Sequence, residues 1–218
     1  MTCQDDKRIT KLQDLIFVLY QEIGTSVPFH GWHHIDFVRN KAVEFARQRG
    51  ADSALVEAAA LVHDLNYIAE KDSGPQAGHQ LRRQCLQDAG FNELDIHEVE
   101  KLVVESHTAT RTASISLAGT ALSDADTLFK ALPITPVVFA PRYLEENNID
   151  LLTLCEKIIG EQEPLLKAGI YFYDERVRDR YLPWAEANLQ LWRCVAEALN
   201  DPDVTTLLKQ INDALHRP

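Results

Sequence analysis

The chain is short of positive charge. Its 218 residues carry 22 Lys and Arg against 33 Asp and Glu, a formal net charge of −11. Such a surface repels long nucleic acid, whose binding depends on neutralising phosphates with Lys and Arg. A small anion drawn to a buried cationic centre stays compatible with it. Long apolar runs are also missing. The longest, such as Pro133–Ala140, fall far short of the ~20 residues that span a bilayer, so no membrane partner is expected. The opening MTCQDDKRITK carries acids and no apolar stretch, and does not read as a secretory signal. Cysteine is sparse. Cys3, Cys85, Cys155 and Cys194 are widely separated, with no CxxC pair, which excludes a disulfide scaffold or a zinc site built from them and suits unpaired thiols in a cytoplasmic protein. No repeat, low-complexity tract or Gly/Ser- or Pro-rich linker divides the chain. With 45% hydrophobic and 25% charged residues, the composition is that of a globular protein rather than a disordered or collagen-like one.

What is present is helical periodicity. Asp5–Ile23 places Ile9, Leu12, Leu15, Ile16 and Leu19 at helical spacing, and His33–Arg49 follows, closed by Gly50. Asp52 or Ser53 caps the next helix, with the stripe Leu55, Ala58, Val62 and Leu65. Gln76–Ala89 stops at Gly90, Leu94–His107 is periodic again, and Leu117–Leu132 stops at Pro133. Asn148–Ala168, Asp174–Leu199 and Val204–His216 complete the set. Ile170–Tyr173 is too short and isolated to found a sheet. The expectation is an all-α fold, one domain over residues 1–218 with roughly eight to ten helices.

Helical phase sorts the eight histidines. His34 leads the inward stripe Val38, Ala42 and Phe45, and His33 points about 100° away. His63 and Asp64 end the almost wholly apolar AALVHDLNY, where polar groups are costly unless paired or bound. His107 closes the stripe Ile96, Val99 and Val103; His79 shares a face with Arg83 and Leu86; His97 lies beside Lys101 and reads as solvated. Asp126 is in phase with Leu122 and Phe129, Asp124 with Leu128. A lone inward His is usually a hydrogen-bonded core residue. Several His and Asp aimed at one apolar interior suit a divalent metal, because imidazole and carboxylate are its ligands and the ion offsets burial of the carboxylates.

His34, then His63-Asp64, then Asp126 in the segment SDADTL resemble the H…HD…D pattern of the HD-domain superfamily of metal-dependent phosphohydrolases, over roughly residues 28–132. The resemblance implies a compact helical bundle with residues 133–218 as additional C-terminal helices packed on that core. It implies a divalent metal held by His34, His63, Asp64 and Asp126, with Asp124 as the alternative last ligand or as a residue orienting a ligand His. GHQLRRQCLQDAGF followed by VVESH resembles the extended pattern of a two-metal subset; His79 and His107 would then hold a second ion, Asp64 would bridge, and Asp64, His63, His79 and His107 would serve catalysis. The ion would be Mn, Fe, Co, Ni or Zn, with Mg also open, and one or two ions would be bound. The implied reaction is hydrolysis of a small phosphate ester, mono- or diester and conceivably a nucleotide, by water that the metal activates.

A phosphate also wants cations and a shaped pocket. Arg82, Arg83 and Lys130 are candidate phosphate clamps against the alternative of solvated helix surface. His30 and His33 are candidate general acids near the mouth, Asn66 and Tyr67 candidate pocket linings, and Lys71 a candidate on a loop over the site. The resemblance leaves two other readings open. One is an HD-type mixed-valence di-iron oxygenase acting on a small polar substrate, although the position after the HD pair reads Leu65-Asn66-Tyr67, without the lysine of the inositol oxygenase. The other is a binding or regulatory module without chemistry. The expected partner is a small phosphorylated substrate, and a homo-oligomer stays open.

Overall fold

In a computed structural model, residues 3–23, 26–71 and 73–215 are described, without the side chains of 3–6, 212, 214 and 215. The Cys3 side chain and His216 therefore lie outside the described residues. The architecture is all-α, with no strand among the described residues. The helices are α1 (Cys3–Ile23), α2 (Trp32–Arg49), α3 (Ser53–Val62), α4 (Leu65–Ala69), α5 (His79–Ala89), α6 (Glu93–Ser106), α7 (Leu117–Ala131), α8 (Ala140–Asn147), α9 (Leu151–Lys167), α10 (Glu175–Leu199) and α11 (Pro202–Leu215).

The centre of the fold is α3. Its sequence SALVEAAALV is apolar almost all round, and a helix of that kind is stable only inside a shell of others. It packs against α1, α2, α6 and α7, and Val56 and Ala58–Val62 are buried. Asp52 caps it, accepting from the amides of Ala54 at 2.9 Å and Leu55 at 3.2 Å. Helix α2 lies across α7 and α3 with His34, Ile35, Val38, Ala42, Phe45 and Ala46 buried, and ends where Gly50 turns left-handed at φ 71°. Helix α7 is buried over nearly its whole length.

Three features depart from the periodicity reading. The His63-Asp64 pair breaks the helix that the apolar stripe suggested, so that Leu65–Ala69 forms a separate short helix. The stretch after Pro133, read only as an apolar run, forms a π-helical turn at Thr135–Phe139 that leads into α8. Pro136 and Pro141 both sit in first turns, where a missing N–H costs nothing. The C-terminal helices do not all share the central core. Val177, Tyr181 and Ala185 of α10 join it, as do Tyr171 and Phe172 of the preceding loop, whereas Leu154, Cys155 and Trp192 build a second, smaller cluster with Ala140. Helix α11 rests on α10 and leaves Leu207, Leu208 and Ile211 exposed. Among the cysteines with described side chains, Cys155 is buried, Cys85 half-buried and Cys194 exposed, all as free thiols.

Candidate metal centre

The bundle brings four of the anticipated side chains to one point. His34 enters from the first turn of α2, His63 and Asp64 from the break after α3, and Asp126 from the middle of α7. His34 Nε2 lies 3.2 Å from His63 Nε2, 2.9 Å from Asp64 Oδ2 and 3.6 Å from Asp126 Oδ1. His63 Nε2 lies 3.3 Å from Asp64 Oδ2 and 4.0 Å from Asp126 Oδ1. All four residues are buried. The packing of Ala58–Val62 drives the chain end of α3 inward, which leaves its two polar residues no route to solvent other than this shared point.

His63 Nδ1 donates to the Ala60 carbonyl at 2.8 Å, which fixes the tautomer and turns the Nε2 lone pair to the cluster. Burial, the largest influence, lowers the His63 imidazole. Burial alone would raise the Asp64 carboxyl, but the His63 charge and the hydrogen bond and charge of His34 hold it well below the usual carboxylate range. Asp126 is likewise pushed down to about 2, against the effect of burial, by Lys130, His34 and His63. Two ionised carboxylates buried beside two imidazoles suit a cation. His34 Nδ1 is buried without a hydrogen-bond partner, and Nε2 is the ring nitrogen turned to the cluster. His34, His63 and Asp64 each place a donor atom within 4.8 Å of the others. A divalent ion fits this N/O donor set, with Asp126 Oδ1 beside it.

The residues of the extended pattern separate. His107 lines the cavity at the cluster and is lowered by burial and by Lys130. His79 does not reach it. The 3-10 turn Pro75–Gly78 starts α5 so that the His79 ring is 52% exposed, with Nδ1 3.2 Å from Glu100. Arg82, expected as a phosphate clamp, is a buried strut instead: Nε and Nη2 donate to Glu100 at 3.0 and 2.7 Å, and Nη2 also to the Pro75 carbonyl at 2.6 Å. Arg83 pairs with Glu93 on the outer face. Lys130 does line the cavity, with Nζ 2.8 Å from Asp126 Oδ2. Asp124 is not at the cluster. Its carboxylate takes Arg49 at 2.7 Å and the amides of Tyr173 at 2.7 Å and Asp174 at 3.1 Å, fastening the loop before α10 to α2 and α7.

Around the mouth, His30 and Tyr67 line the cavity, their rings stacked at 3.9 Å. His33 lies outside, flat on Phe139 at 5.4 Å. Asn66 is buried and does not line the cavity either; its side chain donates to the Ser73 carbonyl at 2.8 Å and holds the loop that follows α4. Lys71 is tied down, donating to the Glu146 carbonyl at 3.0 Å.

Sequence reasoning missed Glu146. Its Oε2 accepts the amides of Phe29 at 2.8 Å and His30 at 3.1 Å, and its Oε1 takes His30 Nδ1. It also missed Thr108, Tyr143 and the α9 residues that enlarge the site. The cavity measures about 510 Å³, the size of a small-molecule pocket. It runs from the His/Asp cluster to an apolar arm of Leu154, Ile158, Leu165 and Trp192. No motif flags Glu146. The signal was an acid three residues after Tyr143, on the same side of the helix as Ala140 and Tyr143.

No protein-family model and no curated protein matches the chain. Solved structures with the same helical fold do. A protein from Lactobacillus plantarum superposes with a TM-score of 0.63 at 18% identity, over 87% of this chain and 93% of the other. Bacillus subtilis YpgQ gives TM-scores of 0.57 alone and 0.56 in complex with ADP, at 21% identity, over 90% of this chain and 98% and 99% of YpgQ. At these identities the likeness is one of fold.

Proposed function

We propose that the protein is a metal-dependent phosphohydrolase of the HD-domain type that cleaves a small phosphate ester. The observation that carries this reading is the convergence of His34, His63, Asp64 and Asp126 side chains at the end of a small-molecule cavity. A divalent ion bound there supplies a Lewis acid that polarises the phosphoryl group and acidifies water. The chain's own residues do the rest. Asp64 and Asp126 stay ionised, His63 is held in one tautomer by Ala60, and Lys130 adds a positive charge beside Asp126. His30 is engaged by Glu146 through Nδ1, which leaves Nε2 as the ring nitrogen for the cavity it lines. We assign it to protonating the leaving oxygen. The apolar arm at Leu154, Ile158 and Trp192 suits the organic part of the ester. That YpgQ, of similar fold, was solved with ADP supports a nucleotide among the substrates to try first.

The di-iron oxygenase reading draws less support, because it needs both His79 and His107 at the centre and His79 is held on the surface by Glu100. A panel of phosphomonoesters, phosphodiesters and nucleotides, assayed with Mn, Fe, Co, Ni, Zn and Mg in turn, tests the proposal. Metal-dependent release of phosphate or pyrophosphate is expected, and Asp64→Ala should lower kcat/KM by more than about 100-fold. Full turnover in Asp64→Ala, or none by the wild type with any metal, would reject it.

A further inference from the structure

The cavity wall beside Asp126 presents hydrogen-bond donors. Lys130, one turn after Asp126 on α7, holds Nζ 2.8 Å from Asp126 Oδ2 and 3.1 Å from Thr108 Oγ1. Thr108 Oγ1 accepts from the ammonium and so keeps its own O–H to donate. His107 accepts the backbone N–H of Ala109 on Nδ1 at 3.2 Å. A neutral imidazole carries one proton, and with Nδ1 accepting, that proton sits on Nε2. The far side of the ring is then an N–H, not a lone pair. All three side chains line the cavity together with His63, Asp64 and Asp126.

We infer that this chain holds one metal ion rather than two, and that His107, Thr108 and Lys130 form an anion subsite next to it that receives phosphoryl oxygens of the substrate. The inference rests on the phosphohydrolase reading of the same cavity and adds to it what stands in the second ion's place. A metal position requires lone pairs, and this wall offers an N–H, an O–H and an ammonium. Asp126, beside this wall, divides its oxygens, with Oδ1 toward His34 and His63 and Oδ2 toward Lys130. The ammonium is thereby held beside the ion site without taking a ligand from it. His79, the other residue a second ion would need, is engaged by Glu100. Donors of this kind bind the charged oxygens of phosphate through charge-assisted hydrogen bonds.

The test pairs a metal count with a phosphate titration. The protein is loaded in turn with Mn, Co, Ni or Zn, freed of excess ion and analysed for metal; inorganic phosphate is then titrated calorimetrically into the loaded protein. Wild type should carry one ion per chain and His107→Gln the same one. Lys130→Met and Thr108→Val should each keep that ion and bind phosphate about tenfold or more weakly. Thermal melts establish that each variant is folded, and Thr108→Val, a near-isosteric change, keeps the test decisive if Lys130→Met does not fold. Two ions in the wild type, falling to one in His107→Gln, would overturn the inference and leave the phosphohydrolase reading standing. One ion with unchanged phosphate affinity in the folded variants would overturn the anion subsite. No ion in the wild type with any of the four metals, nor with Fe or Mg, would remove the phosphohydrolase reading and the inference with it.

Discussion

Glu146 does more for the site than its place in an eight-residue helix suggests. It satisfies two backbone amides, of Phe29 and His30, and orients the His30 ring, so the turn that leads into the His34 helix is fastened from the far side of the cavity. Burial would raise its carboxyl, but the His30 ring and the two amides outweigh that and lower it from the ordinary 4.5. A carboxyl lowered in the folded state stabilises the protein fully above its unfolded value and loses that contribution as pH falls through the folded one. Glu146→Gln should therefore cost about 1–3 kcal/mol near neutral pH. The difference in thermal midpoint between wild type and variant should shrink as the pH drops below about 4. A gap that stays constant from pH 7 to pH 3.5 would contradict the account. Individual residues were unevenly legible in the sequence. The family resemblance of the segment SDADTL preferred Asp126 to Asp124, which phase alone did not separate, and the structure brings Asp126, not Asp124, to the cluster. Arg82 and Arg83 could not be separated from phosphate clamps, because their partners Glu100 and Glu93 belong to another helix. Spacing along one helix carries no information about the face opposite.

Among elements, α2, α6 and α7 followed their apolar stripes to within a residue or two, whereas α3 stopped at Val62, short of the Leu65 its stripe had included. The π-turn and α8 were invisible to periodicity. Pro133, Pro136 and Pro141 interrupt the phase, and Val137 and Val138 are exposed although apolar. Glu146, and with it the anchoring of His30, was lost for the same reason. The junction between the 3-10 turn and α5 was also hidden. A Cβ on Gly78 would lie 2.5 Å from the Asn66 amide nitrogen and 2.7 Å from Arg82 Nη1, so the turn packs directly on the start of α4. This close approach buries Asn66 and excludes it from the cavity. Gly78→Ala should destabilise the protein by about 1–3 kcal/mol, since the obstruction is backbone rather than a movable side chain. Denaturant unfolding measures it, and a neutral effect would show that the α4–α5 junction is looser than described.

For the whole molecule, the net charge of −11 now divides into two parts. Asp64 and Asp126 are buried within the cluster, where a cation, if bound as proposed, would reverse the local sign, while most other acids stay on the surface and disfavour long polyanions. A divalent ion that binds only the folded chain stabilises it by mass action, about 2.7 kcal/mol at a hundredfold excess over Kd. Stability and activity should thus depend on the same ion at the same site. The most direct measurement is chelation and reconstitution: strip the wild type and Asp64→Ala with EDTA, return each divalent metal, and follow the thermal midpoint and phosphate-ester hydrolysis together. Wild type should lose both a few degrees of midpoint and its turnover on stripping and regain both with metal, while Asp64→Ala regains neither. Turnover that persists after stripping, or a metal-induced rise in midpoint that Asp64→Ala shares in full, would contradict a metal centre built on His34, His63, Asp64 and Asp126.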